Sequence, residues 1–322
     1  MNKPIQLKSL LLALLILALS ASGCGQPAVA QNSSSPQGTI TVSGAFALYP
    51  IMVTWADEYQ KIHPGVRIDV SAGGAGKGMA DTLSGAVDIG MVSRDISPDE
   101  EAKGAYWVAV TKDAVFPTAS AQNPALESLM AQGISQQTFS KLYISGEITT
   151  WGQVIADPQL TDEVHVYTRS DACGAADVWA KYLGKQQEDL LGIGVFGDPG
   201  ILDAVIKDPL GLGYNNLNYA FDMSSGKPVA GAVVVPVDVN GNGKADPEEV
   251  MDTKAKALAA VASGRYPSPP ARVLNLVTKG KPGGITQDFL EWILTDGQQY
   301  VDATGYIQLE AGQLAAELAK VR

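Results

Sequence analysis

The chain has 322 residues, 46% of them hydrophobic, and a formal net charge of −11. That is a globular composition on a chain long enough for more than one folded unit, and the acidic balance argues against a nucleic-acid partner. It does not exclude a small anionic ligand, which is held by local amides and a few cations rather than by net charge.

Lys3 and Lys8 flank the start of an apolar stretch, Leu10 to Leu19, followed by Ala21-Ser22-Gly23 and Cys24. This is the layout of a secretory signal over residues 1–24, too short and wrongly flanked for a spanning helix. A cysteine directly after small residues has the look of a lipobox, with Ala21 where a leucine is more usual. Cys24 is therefore expected to carry lipid and to hold the chain at the extracytoplasmic side of a membrane. The alternative is ordinary cleavage, with Cys24 incidental. Residues 25–38 are small, polar or proline-rich and read as a flexible tether. The only other cysteine is Cys173, so with Cys24 lipidated no intramolecular disulfide is available.

Strand-like and helix-like segments alternate from residue 39. Thr39–Val42 is a β-branched run, and Pro50 opens an apolar-periodic helix to Ile62. Val66–Val70 alternates as a strand. A glycine-rich loop, 73–78, then leads into a helix to Ser84, with Gly85 as its stop. Val87–Val92 and Tyr106–Val110 read as strands on either side of a short helix, Pro98–Lys103. Helices are expected at Ala125–Gln132, Gln136–Tyr143, Ala175–Leu183 and Gly200–Ile206, with strands at Val164–Thr168, Gly211–Asn216 and Val273–Val277. Helices around Gln287–Leu294, Gln298–Ala303 and Gln313–Lys320 close the chain, and no internal repeat is found. The alternation predicts an α/β fold with a largely parallel sheet in each lobe.

Three strand-to-helix turns have the chemistry to hold an oxyanion. They are Ser43-Gly44-Ala45-Phe46-Ala47-Leu48-Tyr49-Pro50, then Gly73-Gly74-Ala75-Gly76-Lys77-Gly78, then Thr168-Arg169-Ser170-Asp171-Ala172-Cys173-Gly174-Ala175. Free N–H groups at a helix start, with the helix dipole behind them, form an anion site, and glycine lets backbone approach the ligand. Arg169 adds a planar, permanently charged fork, with Asp171 to hold it in place. No Ser or Thr follows Lys77, so the second turn is not an ATP site.

The order of these turns resembles the periplasmic phosphate-binding family over nearly the whole mature length. The stretch Ser43-Gly44 to Pro50 is similar to its first ligand loop, and the glycine-rich turn followed by Gly85 to Arg94 is similar to its second. Leu142 to Trp151, Arg169-Ser170-Asp171, Gly211-Leu212-Gly213-Tyr214 and Phe289 to Tyr306 carry the rest of the likeness. The resemblance implies a two-lobed periplasmic-binding-protein fold, type II-like, with mixed, largely parallel sheets joined by a hinge. Lobe I would be 39–115 plus 270–322, and lobe II 116–269. It also implies capture of phosphate or a related oxyanion in the cleft, for delivery to an ABC permease, by a monomer with no required cofactor. The ligand set carried over is Ala45, Phe46, Ala47, Leu48, Gly74, Ala75, Gly76, Lys77, Ser93, Arg94, Arg169, Asp171, Cys173, Gly174 and Ala175.

Several of these positions depart from the family. Alanine, phenylalanine and cysteine stand where its loops are rich in hydroxyls, and Ser93 stands where some members have a proton-accepting aspartate. Each lost hydroxyl would cost about 1–3 kcal/mol if nothing replaced it. Arsenate, sulfate, molybdate or a phosphonate therefore stay open beside phosphate, with backbone amides, Lys77, Arg94 and Arg169 as the compensating groups.

Residues 238–249 fit the calcium-loop pattern D-x-[DN]-x-[DN]-G-x₅-E. Asp238, Asn240, Asn242, the Lys244 carbonyl, Asp246 (directly or through water) and Glu249 would supply oxygens to a structural calcium ion, and Gly243 the sharp turn. A solvated Asn-Gly turn is the plainer alternative. Two other functions remain from the sequence: a calcium-binding, adhesion-type surface lipoprotein that has lost the anion site, and a thiol enzyme using Cys173. The second is disfavoured because His165, on the strand leading to Arg169, is too far along to serve as its base.

Overall fold

A computed structural model describes residues 36–322; the signal, Cys24 and residues 25–35 of the tether lie outside the described residues. Three parallel strands open the fold: β1 (Gly38–Gly44), β2 (Val66–Ala72) and β3 (Ile89–Val92). They are followed by β4 (Ala105–Ser120), β5 (Ile134–Ser135), β6 (His165–Arg169), β7 (Ile193–Val195), β8 (Gly211–Asn216), β9 (Ala232–Val234), β10 (Val237–Asp238) and β11 (Ala271–Lys279). A second parallel set is built on β6, with β7 on one side and β8 on the other. The two sets are joined by antiparallel β11 and β4 into one path, β2-β1-β3-β11-β4-β8-β6-β7, with β9 added to β4.

β4 is what makes two lobes from one sheet. Along it Ala114 pairs with Ala271 of β11, and the next residue, Val115, pairs with Asn216 of β8. The side chains divide at the same place. One buried cluster runs from Ile40 to Val110 and resumes from Leu274 to Val321, and the other runs from Ala114 to Tyr266. The fold is thus the expected two-lobed α/β architecture, with the lobes joined through β4 and β11.

The sequence reading stops β4 at Val110, because Thr111-Lys112-Asp113 interrupts the apolar pattern. The strand instead runs for 16 residues. Thr111 and Asp113 are buried there, the first by donating to the Ile307 carbonyl and the second opposite Arg272. The reading also passes over the helix Lys254–Ala262, whose buried residues, Lys254, Ala257, Ala260 and Val261, give little periodic apolar signal.

Helix starts and stops follow local chemistry. Tyr49–Ile62 carries Pro50 in its first turn and buries Ile51, Met52, Trp55, Ala56 and Tyr59 along one face. It ends at His63, ahead of Pro64, where the residue before proline disfavours helix. Ala75–Ser84 is stopped by Gly85 in the left-handed conformation, φ 77°. No helix among the described residues is long and apolar enough to cross a membrane.

In the second core Trp179 is fully buried, stacked on Tyr214 with centroids 5.6 Å apart and edge-on to Phe139 at 4.9 Å. Trp179→Ala removes this contact and leaves a cavity. It is expected to lower unfolding free energy by about 3–5 kcal/mol, measured by urea denaturation with an unchanged m-value.

Candidate functional site

Strand register decides which turns meet. In the first parallel set Gly44 pairs with Ala72 and with Met91, so the turns after β1, β2 and β3 leave the sheet side by side. In the second, Arg169 pairs with Val195, which places the turn after β6 beside the turn after β7. All five turns lie at carboxyl ends of parallel strands, where open α/β sheets place their ligand crevices.

The turns touch. The Gly44 carbonyl accepts the Gly73 and Gly74 amides at 2.9 and 3.0 Å, locking the first turn to the second. The Gly76 amide donates to the Ala172 carbonyl at 2.9 Å, joining the second turn to the third and so lobe I to lobe II. The packing is close enough to require glycine. A Cβ on Gly74 would stand 2.7 Å from Asp171 Oδ2, and one on Gly174 would stand 2.1 Å from the Ser93 carbonyl oxygen. Ala75, Ala175 and Ser93 are buried around these contacts, and Ala47 and Leu48 belong to the first core, where the Ala47 carbonyl accepts the Tyr306 hydroxyl at 2.6 Å.

Arg169 occupies the centre, its side chain 1% exposed. Its Nε and Nη2 donate to the two oxygens of Asp171 at 2.8 and 2.6 Å, and its Nη1 donates to Asp198 at 2.7 Å. Phe46, from the first turn, covers the guanidinium with its ring centroid 5.3 Å away. The carboxylates raise the Arg169 pKa, outweighing the opposing effect of burial. Asp198, fully buried, also accepts the Asn216 amide at 2.8 Å and the Asn216 side chain at 2.7 Å. Asn216 in turn accepts from Arg272, which lies 3.7 Å from Asp113 on the neighbouring strand. A buried line of polar groups therefore runs from the third turn to β4 and β11.

Asp198, Asn216, Arg272 and Asp113 were not singled out from the sequence. The one available signal was an acid directly after Phe196-Gly197 at a helix start, which is also where a purely structural acid sits.

Two cations expected at the site direct their charge elsewhere. Lys77 is half exposed and pairs with Asp81, four residues on, which also accepts the Ser43 hydroxyl at 2.7 Å. Arg94 makes a two-pronged pair with Glu100 at 2.7 and 2.9 Å. Cys173 is buried, and its sulfur caps the helix Gly174–Tyr182 by accepting the Ala176 amide at 3.4 Å. Burial pushes its thiol up to about 12, against the pull of Arg169, so the thiolate a nucleophile needs is absent at neutral pH. His165 is 2.7 Å from Asp208 and is occupied there.

In the loop 238–249 the oxygens are used by the loop itself. Asp238 accepts the Gly241, Asn242 and Gly243 amides at 2.7, 3.1 and 2.9 Å. Glu249 accepts those of Val239 and Asp246 at 2.8 and 3.0 Å, and Asp246 accepts both asparagine side chains. The Lys244 amide donates to Asn242. Among the described residues no three His, Cys, Asp or Glu side chains are gathered closely enough to hold a metal as they stand.

Comparison with known proteins places the chain in a family. A family model described as the PBP superfamily domain matches residues 29–297, and the chain belongs to that superfamily. It is 26% identical over 314 residues to the phosphate-binding protein PstS of Bacillus subtilis (strain 168), covering 93% of this chain and 94% of that protein. With PstS of Methanocaldococcus jannaschii it shares 27% over 358 residues, covering 92% and 90%. Among solved structures, an ABC-type phosphate transport receptor from Vibrio cholerae superposes with a TM-score of 0.60 at 18% identity, covering 84% of this chain and 100% of that one. A candidate phosphate ABC transporter substrate-binding protein from Clostridium perfringens, with bound phosphate, gives 0.69 at 22%, covering 85% and 100%. At these identities the structural likeness concerns the fold.

The line of buried charges has a pH signature. Burial pushes the Asp113 carboxyl up to about 6 from an ordinary 3.8, against the pull of Arg272. Between those values the folded state keeps a proton that the unfolded state has lost, so this group's contribution to stability falls as pH rises and levels off above about 6. Asp113→Asn is expected to gain stability relative to the wild type as pH goes from about 4 to about 7. Parallel urea-unfolding profiles of the two proteins over that range would contradict the assignment.

Proposed function

We propose that this member of the PBP superfamily is an extracytoplasmic solute-binding protein that captures phosphate, or a closely related tetrahedral oxyanion, for an ABC importer. The observation that carries the reading is the meeting of three helix-start turns, from both lobes, around a dehydrated guanidinium. Curated relatives named as phosphate-binding proteins, aligned along more than nine-tenths of the chain, support the choice of ligand.

The mechanism follows from where the parts come from. Phe46 belongs to lobe I and Arg169 to lobe II, so parting the lobes uncovers the guanidinium and closing them buries it. Of its five N–H donors, three hold Asp171 and Asp198, and two are left for an anion. The helix starts at Ala75 and Gly174 contribute backbone donors and their dipoles. A binding role rather than catalysis fits Cys173, whose sulfur is buried and engaged as a cap. The intact convergence of the three turns also weighs against an adhesin that has lost its anion site.

Export and anchoring at Cys24 complete the proposal, supported by the basic start, the apolar stretch and the small residues before the cysteine. We read the protein as a monomer whose closed form a permease recognises.

Thermal unfolding with added orthophosphate, arsenate, sulfate or molybdate tests this reading. At a hundred times its dissociation constant the true ligand adds about 2.7 kcal/mol. Arg169→Lys keeps the charge but loses the fork, and is expected to weaken binding about tenfold or more. A wild-type protein indifferent to all four anions would sink the proposal.

The loop 238–249 is proposed to take a structural calcium ion. Its support is the full sequence spacing and the burial of Asp238 and Glu249 at either end. Asp238 Oδ1 and Asp246 Oδ2 each accept two donors, but Asp238 Oδ2 and both Glu249 oxygens accept one apiece and keep a second lone pair for a cation. Millimolar calcium is expected to raise the Tm and a chelator to lower it, with Glu249→Gln abolishing both responses. Equal melting curves with calcium and with chelator would refute the assignment.

A further inference from the structure

A second charged cavity lies on the hinge side of the molecule. It is a half-open groove of about 480 Å³ whose wall includes Arg94, Lys112, Lys181, Arg272 and Tyr266, with Asp95 as its one acidic residue. Four cations against one acid is a reversal in a chain whose net charge is −11. The lining of the groove contains none of Phe46, Gly74, Arg169 or Asp171, the residues that meet in the three-turn site.

Ion pairs leave part of this charge uncommitted. Arg94 pairs with Glu100, Lys181 with Asp95 and Asp177, and Arg272 with Asp113 at 3.7 Å; among the described residues no ion pair involves Lys112. Asp95 is 92% exposed, so its pair with Lys181 is a solvated contact worth about 0–1 kcal/mol and easily exchanged for a ligand. Arg272 supplies a second sign. Its side chain is 6% exposed, and Nε and Nη1 have no hydrogen-bond partner; the nearest acid, Asp113 at 3.7 Å, is itself without one. Unpartnered buried donors are uncommon, and an anion in the groove would supply the acceptor that Asp113 at that distance does not.

The walls come from both lobes. Arg94 follows β3 and Lys112 and Arg272 lie on β4 and β11, whereas Lys181 lies on the helix Gly174–Tyr182 and Tyr266 belongs to the second core. The volume falls within the range of small-molecule sites and far exceeds what one tetrahedral ion fills. We propose that this groove is a second anion site, taking a multivalent oxyanion of the oligophosphate class that bridges the two lobes. Its lysines lie outside the three-turn cleft, and Arg272, which donates to Asn216, is the residue the two sites share.

Calorimetric titration of the full chain with tripolyphosphate, in the presence of saturating orthophosphate, tests the proposal. One equivalent is expected to bind, more weakly as salt rises. Lys112→Gln with Lys181→Gln should lower that affinity about tenfold, since two cation contacts are removed. Orthophosphate binding by the double variant should match the wild type, because neither lysine lies in the three-turn cleft. Absence of tripolyphosphate binding to the wild type, its loss when orthophosphate saturates the protein, or equal binding by the double variant would each overturn the second site. Failure of orthophosphate alone to bind would count against the cleft reading and leave the comparison of tripolyphosphate affinities intact.

Discussion

The cleft depends on how one buried cation is kept buried. Removing a guanidinium from water without a partner costs several kcal/mol, so Arg169 can sit at 1% exposure only because Asp171 and Asp198 face it. Two carboxylates overcompensate one cation. The excess is taken up by donors: the Gly197 amide on Asp171, and the amide and side chain of Asn216 on Asp198. Because Asn216 accepts in turn from Arg272, and Arg272 faces Asp113, the balance is not local to the third turn. It extends to the two strands on which the lobes hinge.

This arrangement fixes the guanidinium more firmly than a single salt bridge would. Held along one edge by Asp171 and at Nη1 by Asp198, it has an orientation fixed by the protein. The Phe46 ring covers one face, and that ring is itself held edge-on to Phe196 and Tyr219 at centroid distances of 5.8 and 6.4 Å. Phe46 thus ties the closed lobes together through aromatic contact at the same point where it excludes water from the charge. A hinge motion that parted the lobes would break both contacts at once, so that hydration of Arg169 and separation of the lobes would be one event.

How far the sequence discloses this depends on distance along the chain. The strand-helix alternation, the three turns and the Arg169–Asp171 pair are local, and each is visible in a window of a few residues. Asp198, Asn216, Arg272 and Asp113 come from four separate segments, and burial of a polar residue by a distant partner leaves no periodic trace. Asp113 shows the effect in reverse: together with Thr111 and Lys112 it makes the middle of a 16-residue strand look like the end of a short one. The placement of Lys77 had a local clue, since Asp81 stands four residues on and such pairs face each other on a helix. Glu100, six residues after Arg94, is a weaker clue of the same kind.

The buried charges also bear on why the cleft is polar. Replacing a buried ion pair with well-packed apolar side chains is often neutral or stabilising, so such pairs are a poor way to hold a fold together. Here the fold has other means. Each lobe has its own apolar core, with Trp55 and Tyr59 in one and Trp151, Trp179 and Tyr214 in the other, all at or near zero exposure. A chain needing only stability could close the space between those cores with aliphatic residues. It instead places two arginines, three aspartates and an asparagine in line between them, with some of their donors and acceptors unpaired. Hydroxyls in the turns around them are in part already engaged, Ser43 donating to Asp81 and Thr168 sharing a hydrogen bond with the Tyr214 hydroxyl. On the proposed reading, recognition in this cleft would fall to fixed N–H donors, which select a ligand by its negative charge and its size.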